Sequence, residues 1–417
     1  MKRVVLLGAG ASKSYSASKT KEKMPVANDF FKTFNKLNIS EDQWVLIGAI
    51  INYVGEFRNV DIEDFQNYNE DIENLHSEIQ EKLYEILDQN KDSFLGDKGT
   101  TKKEYADNFT IYKAYFELVF LFVSVINEIQ NGEISEAHIN LARQLTKEDS
   151  IITFNWDTLM DRALDETTDW NPDNGYLIKP QYIYKDKWIN PNEIPSKNYP
   201  YLLKLHGSSN WLTSHPIPKA GKLVPTQEQS IEDFCVYVNN ERPYYCFKGR
   251  YSEGYDDYSY GYYPVNLPFE GKRPPEGKLL VRGSIKNPSM KEGTSSDKGL
   301  NSIPLIIPPV KNKKYDNFGN LFQTLWDKAE QELVEASEIY IIGYSFPKTD
   351  YRSTELFKKA FLKRTDMPKI TIINPIPELI EERFKYDFGI TNDKLTVIKD
   401  FFTKDTKINV AINDYHK

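Results

Sequence analysis

Cysteine is scarce in this 417-residue chain, which holds only Cys235 and Cys246. Two thiols cannot complete a four-thiolate zinc site, and these two form no short paired motif. No structural zinc is expected, and the thiols suit a reducing compartment. A basic surplus is also missing, since 53 Lys and Arg face 61 Asp and Glu for a net charge of −8. Direct nucleic-acid binding is therefore not expected as the primary role. The local cluster Lys311 to Lys314, three lysines around one Asn, reads as a solvated loop. The most apolar stretch, Phe116 to Ile126, carries Glu117 and falls well short of a bilayer span. The N-terminus runs straight into a strand and a glycine turn, without the apolar region and cleavage signal of a secretory leader. A soluble, cytoplasmic protein with no membrane association is expected. Gly-x-Ser-x-Gly is absent, which weakens a serine-hydrolase reading. Lys13 follows Ser12 without the glycine spacing of an ATPase phosphate loop.

Hydrophobic residues make up 40% of the chain, enough for a substantial core. The run Arg3-Val4-Val5-Leu6-Leu7 ends at Gly8-Ala9-Gly10-Ala11-Ser12, as a buried parallel strand ending in a tight turn would. Helices are predicted over 26–37, around 66–88 and over 109–130, the second from Ile72, Leu75, Ile79, Leu83 and Ile86 at helical spacing. Strand–helix alternation returns at 150–166 and again over 320–398. The expected fold is α/β: an open, mostly parallel Rossmann-like sheet over residues 1–400. A mainly helical insertion at 40–145 and an irregular Tyr/Gly-rich insertion at 213–302 interrupt it, and 401–417 form a C-terminal tail. The second insertion, with Tyr258 to Tyr263 at its most repetitive, reads either as a solvated loop or as a cover or partner surface.

Four glycine-rich or polar turns follow predicted strands: Gly8 to Ser12, Asn155 to Asp157, Gly343 to Ser345, and Asn374-Pro375. In an open parallel sheet, strand C-termini share one edge, where ligands bind. The first turn offers close backbone access to a pyrophosphate, or is simply a tight strand turn, since the third glycine of the dinucleotide fingerprint is missing. Asn155 can bind a sugar hydroxyl or fix a water. Asp157 is equally explained as a helix cap. His206, in Leu205-His206-Gly207, is the best general-base candidate, with a satisfied core histidine as the alternative. His76 and His138 fall in predicted helices, His215 in the irregular insertion and His416 at the terminus. Ser345 suits contact with a ribose or phosphate.

Taken in order, these motifs resemble the sirtuin superfamily, and most of all the bacterial sirtuin-like NAD-consuming proteins of antiphage defence. The resemblance implies NAD as substrate. It places Gly8, Ala9, Gly10 and Ser12 at the pyrophosphate and ribose, Asn155 at the nicotinamide-side ribose or a water, and Asp157 in support. It assigns His206 to a ribose hydroxyl or to water activation, and Gly343, Ser345 and Asn374 to the adenosine half. Asp29 matches the acidic position after the first glycine turn. Deacylating sirtuins carry two Cys pairs for zinc that are missing here, so NAD hydrolysis to nicotinamide and ADP-ribose is the implied reaction. An NAD-dependent deacylase or ADP-ribosyltransferase is the alternative enzyme, and a non-catalytic NAD- or ADP-ribose-sensing scaffold the alternative class. The resemblance also implies a homo-oligomer and a partnership with a HerA-type DNA-translocating ATPase.

Overall fold

A computed structural model of the chain describes residues 2–37, 48–90, 100–130, 132–185, 187–191, 199–214, 216–225, 234–237, 280–281, 301–311, 313, 320–347 and 350–408. Strand β1 (Arg3–Leu7) leads into α1 (Ala9–Lys13) and α2 (Phe30–Lys36). A run of helices follows: α3 (Gly48–Arg58), α4 (Ile72–Gln89), α5 (Lys102–Ile129) and α6 (Glu136–Arg143). Then come β2 (Ser150–Thr153), α7 (Leu159–Thr167), β3 (Tyr182–Lys185), β4 (Lys187–Ile189), β5 (Tyr201–Lys204) and β6 (Gly207–Ser214). Shorter strands continue as β7 (Pro216–Lys219), β8 (Lys222–Pro225), β9 (Phe234–Tyr237), β10 (Leu280–Val281) and β11 (Asn301–Ile306). The chain closes with α8 (Leu321–Glu335), β12 (Glu338–Ile342), α9 (Tyr351–Leu362), β13 (Lys369–Ile373), α10 (Glu378–Glu382) and β14 (Leu395–Ile398).

Among the described residues, the main sheet has the order β14-β13-β12-β1-β2-β5, and every neighbouring pair is parallel. Numbered by appearance within the sheet, that is 3-2-1-4-5-6, the order of a doubly wound Rossmann-like sheet. The fold is thus the expected Rossmann-like α/β architecture. Val4, Val5, Leu6 and Leu7 are all buried without alternation, because both faces of β1 are covered. The order reverses between β1 and β12, which opens a crevice at their C-terminal ends.

The helical lobe has a core of its own, centred on α5 and joined by Phe30, Phe31, Tyr53, Leu75 and Ile79. Asp71 caps α4, and a Thr101–Glu104 capping box starts α5. By length and composition α5 could cross a bilayer, a longer element than the apolar stretch at 116–126 suggests. Its most apolar window is 89% buried within the protein.

A second sheet, β10-β11-β6-β9-β3-β4, lies between the two cores. Trp211, Phe234 and Val236 face the main-sheet core, whereas Leu212 and Cys235 face the helical lobe. This is the two-residue alternation of a strand buried on both sides. In β11 a register shift between Pro304 and Ile306 changes the phase, so Ile303 and Ile306 face one core and Leu305 the other. Several of these strands fall in the stretch read as irregular insertion. Tyr258 to Tyr263, Cys246, His215 and His416 lie outside the described residues. At the start of the tail, Phe402 and Ile408 are buried, and the Thr406 carbonyl accepts from Asn140 and Gln144.

Candidate functional site

β1 and β12 end beside each other, and the turns that follow interlock. Gly8 N–H donates to the Ile342 carbonyl at 3.0 Å and Gly10 N–H to the Gly343 carbonyl at 2.8 Å. A Cβ on Gly8 would lie 2.5 Å from the Tyr344 Cα, and one on Gly10 2.8 Å from the Gly343 Cα. Gly343 itself has φ +62°. The glycines therefore let two loops pack together. With Ala11 N–H on the Gly8 carbonyl at 2.9 Å, much of the expected anion-binding backbone is already engaged. Ala9 and Ser12 are the residues of this turn that line the cavity.

Asn155 and Asp157 follow β2 and close the same crevice. Asn155 Nδ2 donates to the Gly8 carbonyl and to Ser12 Oγ, both at 2.8 Å. Ser12 Oγ in turn donates to Asp157 Oδ2 at 2.5 Å, and Leu159 N–H donates to Asp157 Oδ1 at 3.1 Å. Both Asp157 oxygens are thus occupied by protein groups. With both amide hydrogens used, only the Asn155 oxygen could meet a ligand. Buried Lys204 donates to the Asp157 carbonyl at 2.5 Å and pairs with Asp161 at 3.0 Å, fixing the loop from below.

His206 sits where β5 of the main sheet passes into β6 of the second. The elbow needs Gly207, whose φ is +78° and whose Cβ would come within 2.2 Å of the Leu305 carbonyl. The imidazole is 3% exposed, 5.1 Å from the Phe154 ring and 5.7 Å from the Trp156 ring, which it stacks upon. Its Nε2 lies 3.6 Å from Asp350 Oδ2. Burial holds the His206 pKa below the usual histidine value, against the opposing pull of Asp350. Burial pushes the Asp350 carboxyl up, but His206, Lys313 and Tyr344 outweigh it and hold it below the usual range. A neutral imidazole can take a proton at neutral pH.

These groups meet in one cavity of about 300 Å³. Ser12, Asn155, Asp157, His206, Gly343, Ser345, Lys313 and Asp350 supply its polar side. Met24, Val26, Phe30, Ile72, Phe122 and Ile126, from the helical lobe, supply its apolar side. Four residues of the expected set are not in the lining: Gly8 and Gly10, which are packed against the Gly343–Tyr344 turn, and Asp29 and Asn374. Asp29 accepts from the Val26 N–H at 2.6 Å and stays partly exposed beside Lys13. Asn374 follows β13, where its Oδ1 accepts from the Ile376 N–H at 2.9 Å, outside the cavity lining. Sequence reading missed Asp350, Tyr344 and Lys313. Lys313, read as part of a solvated loop, lines the cavity. Among the described residues, no three His, Cys, Asp or Glu side chains gather as a metal site.

No family model and no curated relative match this chain. Among the solved structures that align with it are two of low similarity. One, from work on "The Structural basis of Sirtuin Substrate Affinity", is 14% identical with a TM-score of 0.30, covering 96% of this chain and 88% of that one. The other, from "The Structural basis for Sirtuin Substrate affinity", is 12% identical with a TM-score of 0.26, covering 75% of this chain and 99% of that one. The likeness to sirtuin-fold proteins is thus weak and partial, and scores this low add nothing to what the strand order says.

Proposed function

We propose that the chain binds NAD at the switch-point crevice and hydrolyses its nicotinamide–ribose bond. One observation carries the proposal: Asn155 and His206, 51 positions apart by their numbering, line a single cavity where a 3-2-1-4-5-6 sheet reverses its order. Water attacks the ribose C1′ as the C1′–N bond breaks, and that bond's electron pair leaves with nicotinamide. Positive character grows on the sugar, so the chain must hold the ribose and orient the water. The Asn155 oxygen accepts from the water or from a ribose hydroxyl. Neutral His206 removes the proton that the water loses. Asp157 keeps Ser12 and Asn155 in place and serves as a support. The apolar wall of Phe30, Phe122 and Ile126 shields one side of the site from solvent.

The test is chromatography of products after incubation with NAD. Wild type should release nicotinamide and ADP-ribose, and His206→Ala and Asn155→Ala should each slow release by about 100-fold or more while staying folded. Wild-type turnover in both folded variants would refute the assignment. Acylated peptide in parallel reactions separates hydrolysis from deacylation or ADP-ribosyl transfer, and binding without products separates it from a sensing scaffold. The motif resemblance extends the proposal to cytoplasmic antiphage defence, as a homo-oligomer beside a HerA-type ATPase. Sedimentation and turnover with and without that partner test this extension.

A further inference from the structure

Asp350 stands at the N-cap of α9, where an aspartate ordinarily accepts from the first backbone N–H groups. Here its side chain makes no capping hydrogen bond. The carboxylate lines the cavity instead, at 4% exposure. Oδ2 accepts from the Tyr344 hydroxyl at 2.9 Å and faces His206 Nε2 at 3.6 Å. Oδ1 is buried, and among the described residues no donor meets it. An ionised oxygen shut away from water demands a donor. Asp157 offers the contrast, since protein donors hold both its oxygens.

The backbone at Phe346, just upstream of Asp350, is anchored. Phe346 takes a left-handed backbone at φ +51° and is buried against Phe357 and Phe384. Such a conformation persists only where packing enforces it. The helix start therefore presents a carboxylate inward, at the expense of its capping role.

We infer that Asp350 is the ligand-binding carboxylate of this site: Oδ1 accepts a hydroxyl hydrogen from the ribose of a bound nucleotide, while Oδ2, held by Tyr344, aligns His206. The inference rests on the NAD reading for the identity of the nucleotide, but the contact itself requires only a ribose hydroxyl. A charge-assisted hydrogen bond of this type is worth about 10- to 100-fold in affinity.

Calorimetry decides the matter with NAD, ADP-ribose and AMP as probes, together with 2′-deoxy and 3′-deoxy AMP. Asp350→Asn preserves shape and removes the charge. It should bind the ribonucleotides about 10- to 100-fold more weakly than wild type. One of the deoxy probes should lose affinity on wild type but not on the variant, a double difference that misfolding does not imitate. NMR titration of His206 should also show a lower pKa in the variant. Equal ribonucleotide binding by wild type and variant, or an equal deoxy penalty in both, overturns the inference and leaves NAD hydrolysis standing. Wild type that binds AMP but not NAD, with the same loss in Asp350→Asn, overturns the NAD reading and supports the contact. Wild type that binds none of the probes overturns both.

Discussion

Replacing His76 by leucine should remove a defined part of the protein's sensitivity to acid. His76 lies on α4, is 0% exposed, and has its ring 5.1 Å from that of Tyr115. Among the described residues, no hydrogen-bond partner meets either ring nitrogen. Burial pushes its pKa down to about 3. The unfolded chain takes up this proton near pH 6.5, and the folded chain does so only near 3. Stability from this residue is therefore complete above about pH 6.5 and drains away as the pH falls toward 3. At pH 5 the gap from 6.5 is about 1.5 units, and at about 1.36 kcal/mol per unit the loss is about 2 kcal/mol. His76→Leu deletes the proton site and two unmatched nitrogens, with a packing change of about 1.5 kcal/mol or less. Urea unfolding of both proteins at pH 7.5 and pH 5.0 gives the answer as a double difference. Wild type should lose about 2 kcal/mol more than the variant over that step. His138, which burial pushes down to about 4, contributes equally to both proteins and cancels. Equal losses in the two proteins, or an NMR titration placing His76 near 6.5, would refute the reasoning.

Other expectations concern the site and its supports. Lys204→Met strands Asp161 without its cation and should destabilise the fold by about 3–5 kcal/mol in urea unfolding, with much of the loss recovered by adding Asp161→Asn. Gly343→Ala places a Cβ 2.5 Å from the Ala11 nitrogen on a left-handed backbone, so it should lower the melting temperature and abolish NAD binding by calorimetry. If His206 is the neutral base proposed above, burial that holds its pKa down predicts full nicotinamide release at neutral pH. It should fall only as the pH drops below 6.5, and a midpoint above 6.5 would contradict the assigned role.

The main sheet was legible because strands buried on both faces leave unbroken apolar runs, as at Val4–Leu7 and Ile339–Ile342. Helices α4 and α5 were legible from their spacing, though the full reach of α5 was hidden by charged residues in its first turns. The convergence of Asn155 and His206 could be read from their places after strands. The second sheet could not. Its pairings are non-local, and pairs such as β3 with β9 join segments about fifty residues apart. Asp350 was hidden by its own position, since an aspartate before a helix looks like a cap and only its rotation into the cavity says otherwise. Lys313 gave no signal, because its neighbours in sequence are other polar residues.

The second sheet presents adjacent residues of one strand, Trp211 and Leu212, to opposite cores. A wall shared in this way cannot be stripped from one side without baring the other. Thermal melting followed at the helical lobe and at the main-sheet half should therefore trace one transition, and a fragment lacking the helices would leave the apolar flank of β6 and β9 exposed to water.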